Sequence, residues 1–95
     1  MVTIIAKWKV KAGQVDTVLE LAQPLINSSR KEPGNLKYDL YIKHGTTDEI
    51  LLHEIYTSMA DFEFHKTTDY FNDIAMDKII PLLETKELNI FEDYF

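Results

Sequence analysis

His65 lies between Phe64 and Lys66 and is the only one of the three histidines in a segment that reads as helix. An unperturbed imidazole titrates near neutrality, so His65 can take a proton from a phenol at physiological pH. Trp8, Tyr38 and Tyr56 add an indole N–H and two phenol O–H groups. When buried, such groups need partners. A flat phenolic ligand, stacked between rings and held by a few polar anchors, suits that set. The same residues also read as ordinary core aromatics with internal hydrogen bonds, and a lone helical histidine also reads as structural.

The elements that must position these groups follow from periodicity. Val2 to Lys11 alternates, with Val2, Ile4, Ala6, Trp8 and Val10 on one face. That is a strand. Ala12-Gly13 breaks it. From Gln14 to Arg30, Val15, Val18, Leu19, Ala22, Leu25 and Ile26 make a helical stripe, in which Pro24 predicts a local kink or distortion. Pro33-Gly34 stops the helix, with Gly34 expected in the left-handed conformation.

Asn35 to His44 and Glu49 to Ser58 read as an antiparallel hairpin across the turn "HGTTDE". Leu36, Tyr38, Leu40 and Ile42 share one face of the first strand, while Ile50, Leu52, Glu54 and Tyr56 share one face of the second. Tyr38 and Tyr41 are an odd number of positions apart, so a regular strand points them to opposite faces. Ser58 or Asp61 caps a following helix, which is expected in two pieces with a break near Phe71-Asn72. Pro81 disturbs the end of the second piece, and Glu87 to Phe95 reads as a last strand.

The order strand, helix, strand, strand, helix, strand is the ferredoxin-like split βαβ pattern, an α+β fold with an antiparallel sheet. Residues 1–95 read as a single domain. The helix-free face carries Ile5, Tyr41, Leu51, Ile55 and Phe91 where a solvated face reads polar. A second copy of the sheet is therefore expected to cover it.

Composition limits the function further. Ten basic against sixteen acidic residues give a net charge of −6, which argues against nucleic acid and against an anionic membrane surface. No apolar run approaches a membrane span, the N-terminus does not read as a signal peptide, and a cytoplasmic location is expected. With no cysteine there is no disulfide, thiolate ligand or cysteine nucleophile. His44 reads as a turn residue and His53 lies on the strand face opposite Tyr56, so the histidines form no metal set. The three glycines are spread over three turns and form no phosphate loop. No cofactor and no metal are expected.

Four segments, "KVKAGQ", "EPGNLKYDLY", "LHEIYTSMADFEFH" and "HKTTDYF", together resemble the antibiotic biosynthesis monooxygenase family of small dimeric α+β barrels. The resemblance implies a homodimer of two ferredoxin-like sheets packed face to face, with a pocket between sheet and helices in each subunit. It implies one of several reactions: cofactor-independent oxygenation of quinols or polyketide phenols, haem degradation, or isomerisation of a sugar-derived signal. His65 matches the family's helical histidine, and Phe71 is retained. Tyr56 stands where many members have Trp, and Tyr70 where many have a second His. Ala6 stands where the haem-degrading branch has Asn, which turns the reading away from haem.

The residues and the resemblance together nominate His65 and Tyr56 as catalytic, and Trp8, Tyr38, Leu40, Glu54, Tyr70 and Phe71 as binding a quinol-like aromatic substrate. They nominate Ile5, Tyr41, Leu51, His53 and Ile55 as the homodimer face. The expected activity is oxidation of a quinol or phenol by dioxygen without a cofactor. The alternatives are a non-catalytic ligand-binding dimer of the same fold and, less favoured, a haem-degrading oxygenase.

Overall fold

A computed structural model describes residues 1–95. Strand β1 (Val2–Val10) leads through Gly13 to helix α1 (Val15–Ser29), and β2 (Asn35–Ile42) and β3 (Glu49–Tyr56) form the hairpin. Helix α2 (Met59–Thr67), helix α3 (Phe71–Ile79), a single 3-10 turn (Ile80–Leu82) and β4 (Leu83–Glu92) complete the chain. The sheet is antiparallel in the order β2-β3-β1-β4, with the helices on one face. This is the ferredoxin-like arrangement that the alternation predicts.

The helix-facing side of the sheet is the expected one. Val2, Ile4, Ala6 and Val10 of β1 and Ile50, Leu52, Glu54 and Tyr56 of β3 are all buried. Tyr38 is 2% exposed and Tyr41 47%, so the two point to opposite faces. The irregularity in β2 falls between Asn35 and Lys37, before Tyr38, and leaves the alternation from Tyr38 to Tyr41 intact. On the helix-free face, Tyr41 pairs with Leu51, His53 with Ile5, and Phe91 with Thr3, with no element laid over them.

Several boundaries differ from the sequence expectation. Helix α1 runs unbroken through Pro24, which lies on the solvent side where water can satisfy the carbonyl that its missing N–H leaves free. The second helical region breaks at Thr68, whose backbone is extended, ahead of Phe71. Strand β4 begins at Leu83 and ends at Glu92, leaving Asp93 to Phe95 outside it. It is an edge strand with only Leu83 buried, so it has little apolar alternation to read.

Gly34 is not left-handed; only Gly13 (φ 78°) and Gly45 (φ 82°) have positive φ. Its requirement is space, because a Cβ there would run into the Asp61 side chain. The Gly34 carbonyl accepts from the Thr57 N–H at 3.0 Å, which fixes the turn after α1 against the end of β3. Asp61 accepts from Ser58 Oγ at 2.9 Å and from Thr57 Oγ1, and Ser58 Oγ accepts from the Asp61 N–H, capping α2.

The core forms three separate clusters. Val10, Val18, Leu25, Ile50, Ala75 and Ile79 belong to the cluster that joins α1 and α3 to one end of the sheet. Val2, Ile4, Tyr56 and Phe62 join α2 to the other end. Ala6, Tyr38 and Leu52 lie in the middle of the sheet.

Candidate active site

A cavity of about 270 Å³ opens where these clusters fail to merge; its wall includes Ala6 and Tyr38, Phe62 from α2, and Ala75 from α3. That volume lies just below the usual range for ligand sites, about 300–1,000 Å³. Trp8, Glu54, His65 and Phe71 also line it.

Helix α3 is wound wide, with Ile80 N–H donating to the Ala75 carbonyl five residues back. Phe71, Ala75, Met76 and Ile80 line the cavity from this stretch. In an α-helix Phe71 and Ile80 would lie roughly 180° apart. The wider π winding brings both to one side, a device often found at functional sites.

His65 is 1% exposed and stands at the centre of a buried polar network. Its Nδ1 lies 2.8 Å from Glu32 Oε2, and the Tyr70 hydroxyl donates to the same oxygen. Glu32 Oε1 is buried without a protein partner. With Nδ1 engaged, Nε2 is the free nitrogen; it makes no hydrogen bond within the protein and lies 4.0 Å from Glu54 Oε1. The rings of Tyr38, Tyr56, Phe62 and Phe71 surround the imidazole at centroid distances of 5.0 to 6.4 Å.

The electrostatics follow from burial. Burial lowers the His65 pKa, opposed by the Glu32 contact and assisted by Lys66. Burial thus favours the neutral imidazole, and with Nδ1–H directed at Glu32 the lone pair is on Nε2. Burial, with the nearby Glu32 charge, pushes Glu54 up to about 7, against a hydrogen bond from Tyr56 that lowers it. Burial and Glu32 push Tyr70 up to about 12. Burial, then Glu54 and Glu32, hold Tyr38 well above the ordinary phenol range. Tyr56 is raised likewise by burial and Glu54.

The nominated residues therefore separate. Trp8, Tyr38, Glu54, His65 and Phe71 converge on the cavity. Tyr56 is fully buried one layer behind, and its hydroxyl donates to Glu54 Oε1 at 2.7 Å. Tyr70 does not line the cavity; its hydroxyl donates to Glu32 and its ring lies 6.5 Å from that of His65. Leu40 does not reach the cavity; it lies over a shallow groove with Ala22, Ile26 and Arg30 of α1 and its end.

Glu32 was missed. It lies in the turn after α1, where no periodicity reports on facing, and its partner His65 is 33 positions away. The available signal was a carboxylate opening the "EPGN" turn, at a position where Gly, Pro, Asn, Asp and Ser are the favoured types.

Haem does not fit these residues. His65, the one histidine in the cavity wall, has Nδ1 committed to Glu32 and Nε2 facing a carboxyl across 4.0 Å, and Ala6 offers no amide. No group of three or more His, Cys, Asp or Glu side chains converges as metal ligands would. No helix is long and apolar enough to cross a membrane.

Comparison with known proteins places this architecture. The sequence profile described as "Antibiotic biosynthesis monooxygenase" matches residues 1–76. The Bacillus subtilis (strain 168) protein named "Putative monooxygenase YcnE" is 35% identical over 71 residues, covering 75% of each chain. An uncharacterised protein of Synechocystis is 25% identical over 91 residues; the match covers 96% of this chain but only 62% of that longer relative. A crystal structure of an antibiotic biosynthesis monooxygenase superposes with a TM-score of 0.92 over 99% of both chains at 23% identity, a likeness of fold. The chain belongs to the antibiotic biosynthesis monooxygenase family.

Proposed function

We propose that this protein is a cytoplasmic, homodimeric monooxygenase that oxidises a quinol or related phenol with dioxygen and without a cofactor. The observation that carries this reading is the buried His65, with Nδ1 on Glu32 and Nε2 free beside an aromatic-walled cavity. Glu32 holds the tautomer whose lone pair is on Nε2 and stabilises the imidazolium that forms when His65 accepts a proton, as a buried carboxylate does for a catalytic histidine elsewhere. Tyr70 fixes Glu32 in turn.

The substrate hydroxyl gives its proton to Nε2 and becomes an electron-rich phenolate. A phenolate can itself reduce dioxygen, so the protein needs only to bind, deprotonate and shield it. The balance closes without an external reductant. A quinol plus dioxygen gives a hydroxyquinone plus water, one oxygen atom entering the ring and the other leaving as water. Trp8, Tyr38, Phe62 and Phe71 hold the ring.

The dimer forms through the helix-free face, where Ile5, Tyr41, Leu51, His53 and Ile55 lie together with Phe91. Phe91 is 54% exposed and Tyr41 47% in the single chain, and apolar surface of this kind favours a partner.

The test is oxygen uptake over a panel of quinols, with no added metal or flavin. Uptake tied to quinol consumption supports the reading. Binding of quinols with no uptake above the uncatalysed rate across the panel would reject it in favour of a ligand-binding dimer.

A further inference from the structure

Glu54 is a carboxyl group that the base–phenol scheme leaves without a task. It is 4% exposed, lines the cavity, and lies beside His65 Nε2 without hydrogen-bonding to it. The 4.0 Å between Nε2 and Oε1 is too long for a direct bond, and it sets the imidazole and the carboxyl group side by side on the cavity wall, where one substrate oxygen can meet Nε2 and the other carboxyl oxygen, Oε2. Tyr56 donates to Oε1, so a proton on this carboxyl sits on Oε2, the oxygen with no hydrogen-bond partner in the protein.

We propose that Glu54 works as a neutral carboxylic acid that donates a hydrogen bond to the same substrate oxygen from which His65 takes its proton. This rests on the reading of the site as phenol-deprotonating. The two groups form an acid–base clamp: Nε2 accepts the proton, and the Glu54 O–H shares its own with the phenolate left behind in a charge-assisted hydrogen bond. The substrate is thereby a planar ring whose hydroxyl enters first and is bound as its anion.

The surroundings favour this protonation state. Burial and the Glu32 charge raise Glu54 to about 7, so below that pH the carboxyl holds its proton, while burial favours the neutral imidazole of His65. This is the arrangement by which an acid in an apolar site stays neutral to serve an oxyanion. Tyr38 from β2 is opposite Glu54 in the sheet, and Glu32 adds negative charge from the turn. Lys66 of α2 and Lys86 and Glu87 of β4 line the same cavity. Once ionised, Glu54 repels a phenolate, so anion binding weakens as pH rises through 7.

Anaerobic titration of the full chain with para-nitrophenol tests this, because the phenolate has its own visible absorbance and no oxygen chemistry is involved. The bound spectrum is read about one pH unit below the phenol's own pKa, and affinity, expressed for the free phenolate, is then followed from there up through pH 7. Wild type is expected to bind it as the phenolate. Glu54→Gln, which keeps a donor toward the cavity and an acceptor for Tyr56, keeps the phenolate spectrum but no longer loses affinity as pH rises through 7. Glu54→Leu, which has no donor, loses roughly 10- to 100-fold in affinity for the phenolate. The proposal is overturned if wild type binds no para-nitrophenol, or binds only the neutral phenol. It is also overturned if Glu54→Gln retains the wild-type pH dependence or loses the phenolate spectrum; this variant decides the matter even if Glu54→Leu does not fold. Phenolate binding as described, with no oxygen uptake on any quinol, would reject the oxygenase reading and leave the clamp standing.

Discussion

His65 Nδ1 and Glu32 Oε2 are 2.8 Å apart, both residues are buried, and the pair joins the turn after α1 to helix α2. His65→Ala would leave Glu32 facing a void and confuse lost chemistry with lost stability, because removing one partner of a buried pair is strongly destabilising. His65→Gln can still donate to Glu32 but offers no lone pair basic enough to accept a phenol proton. We expect it to fold and to lose roughly 10²–10⁴-fold in turnover, the range for a general base. Glu32→Gln should fall by a similar order through the wrong tautomer. Steady-state oxygen uptake checks both, and wild-type turnover in His65→Gln would remove the histidine from the mechanism.

Gly34 and Asp61 are packed so closely that no side chain fits between them. Gly34→Ala must displace Asp61, which accepts from both Ser58 and Thr57 at the start of α2. We expect a loss of about 1–3 kcal/mol in urea unfolding, the usual cost of overpacking. An unchanged midpoint would show that the Asp61 side chain moves aside freely.

Glu54 makes stability fall with rising pH. Its pKa is raised from 4.5 to about 7, so the folded state binds this proton more tightly than the unfolded state. The contribution is fully present below 4.5 and is lost as pH rises through 7, a total on the order of 3 kcal/mol. His65 runs the other way: its lowered pKa contributes stability present above 6.5 and lost as pH falls. In Glu54→Gln the first contribution vanishes, so the mutant should gain on wild type as pH rises from about 4.5 to 8. Urea unfolding at several pH values measures this. A difference between the two proteins that stays constant with pH would contradict it.

Tyr38 and Tyr41 separate the pocket from the proposed interface. Tyr41→Asp places a charge on the helix-free face, and burying an unpaired charge costs several kcal/mol. Sedimentation should show a monomer or a partly unfolded chain. Tyr38→Phe should sediment as wild type and change only ligand binding or turnover. A native-size dimer for Tyr41→Asp would place the interface elsewhere.

Period-two alternation made the strands and their faces legible. Trp8, Tyr38, Glu54 and Tyr56 all lie on the helix-covered side as their parity requires, and Ser58 caps α2 as its type suggests. Parity does not say how far along a face a ligand lies. Leu40 and Tyr56 share the face with Tyr38 and Glu54, yet one sits over α1 and the other one layer behind. The wide winding of α3 was hidden because a reader of helices looks for a period of 3.6. Glu32 was hidden because a turn has no period and its partners His65 and Tyr70 are contributed by the distant second helical region.

The most direct test of the account supplies heavy-isotope dioxygen to the purified protein with a quinol that it consumes, without added metal or flavin. Mass spectrometry of the product, reduced at once to prevent exchange of its carbonyl oxygens with water, follows the label. Deprotonation by His65 followed by oxygenation of the bound phenolate predicts a hydroxylated product carrying one labelled oxygen atom, with the other in water. A quinone formed without any label, or no product above the uncatalysed rate, would contradict it.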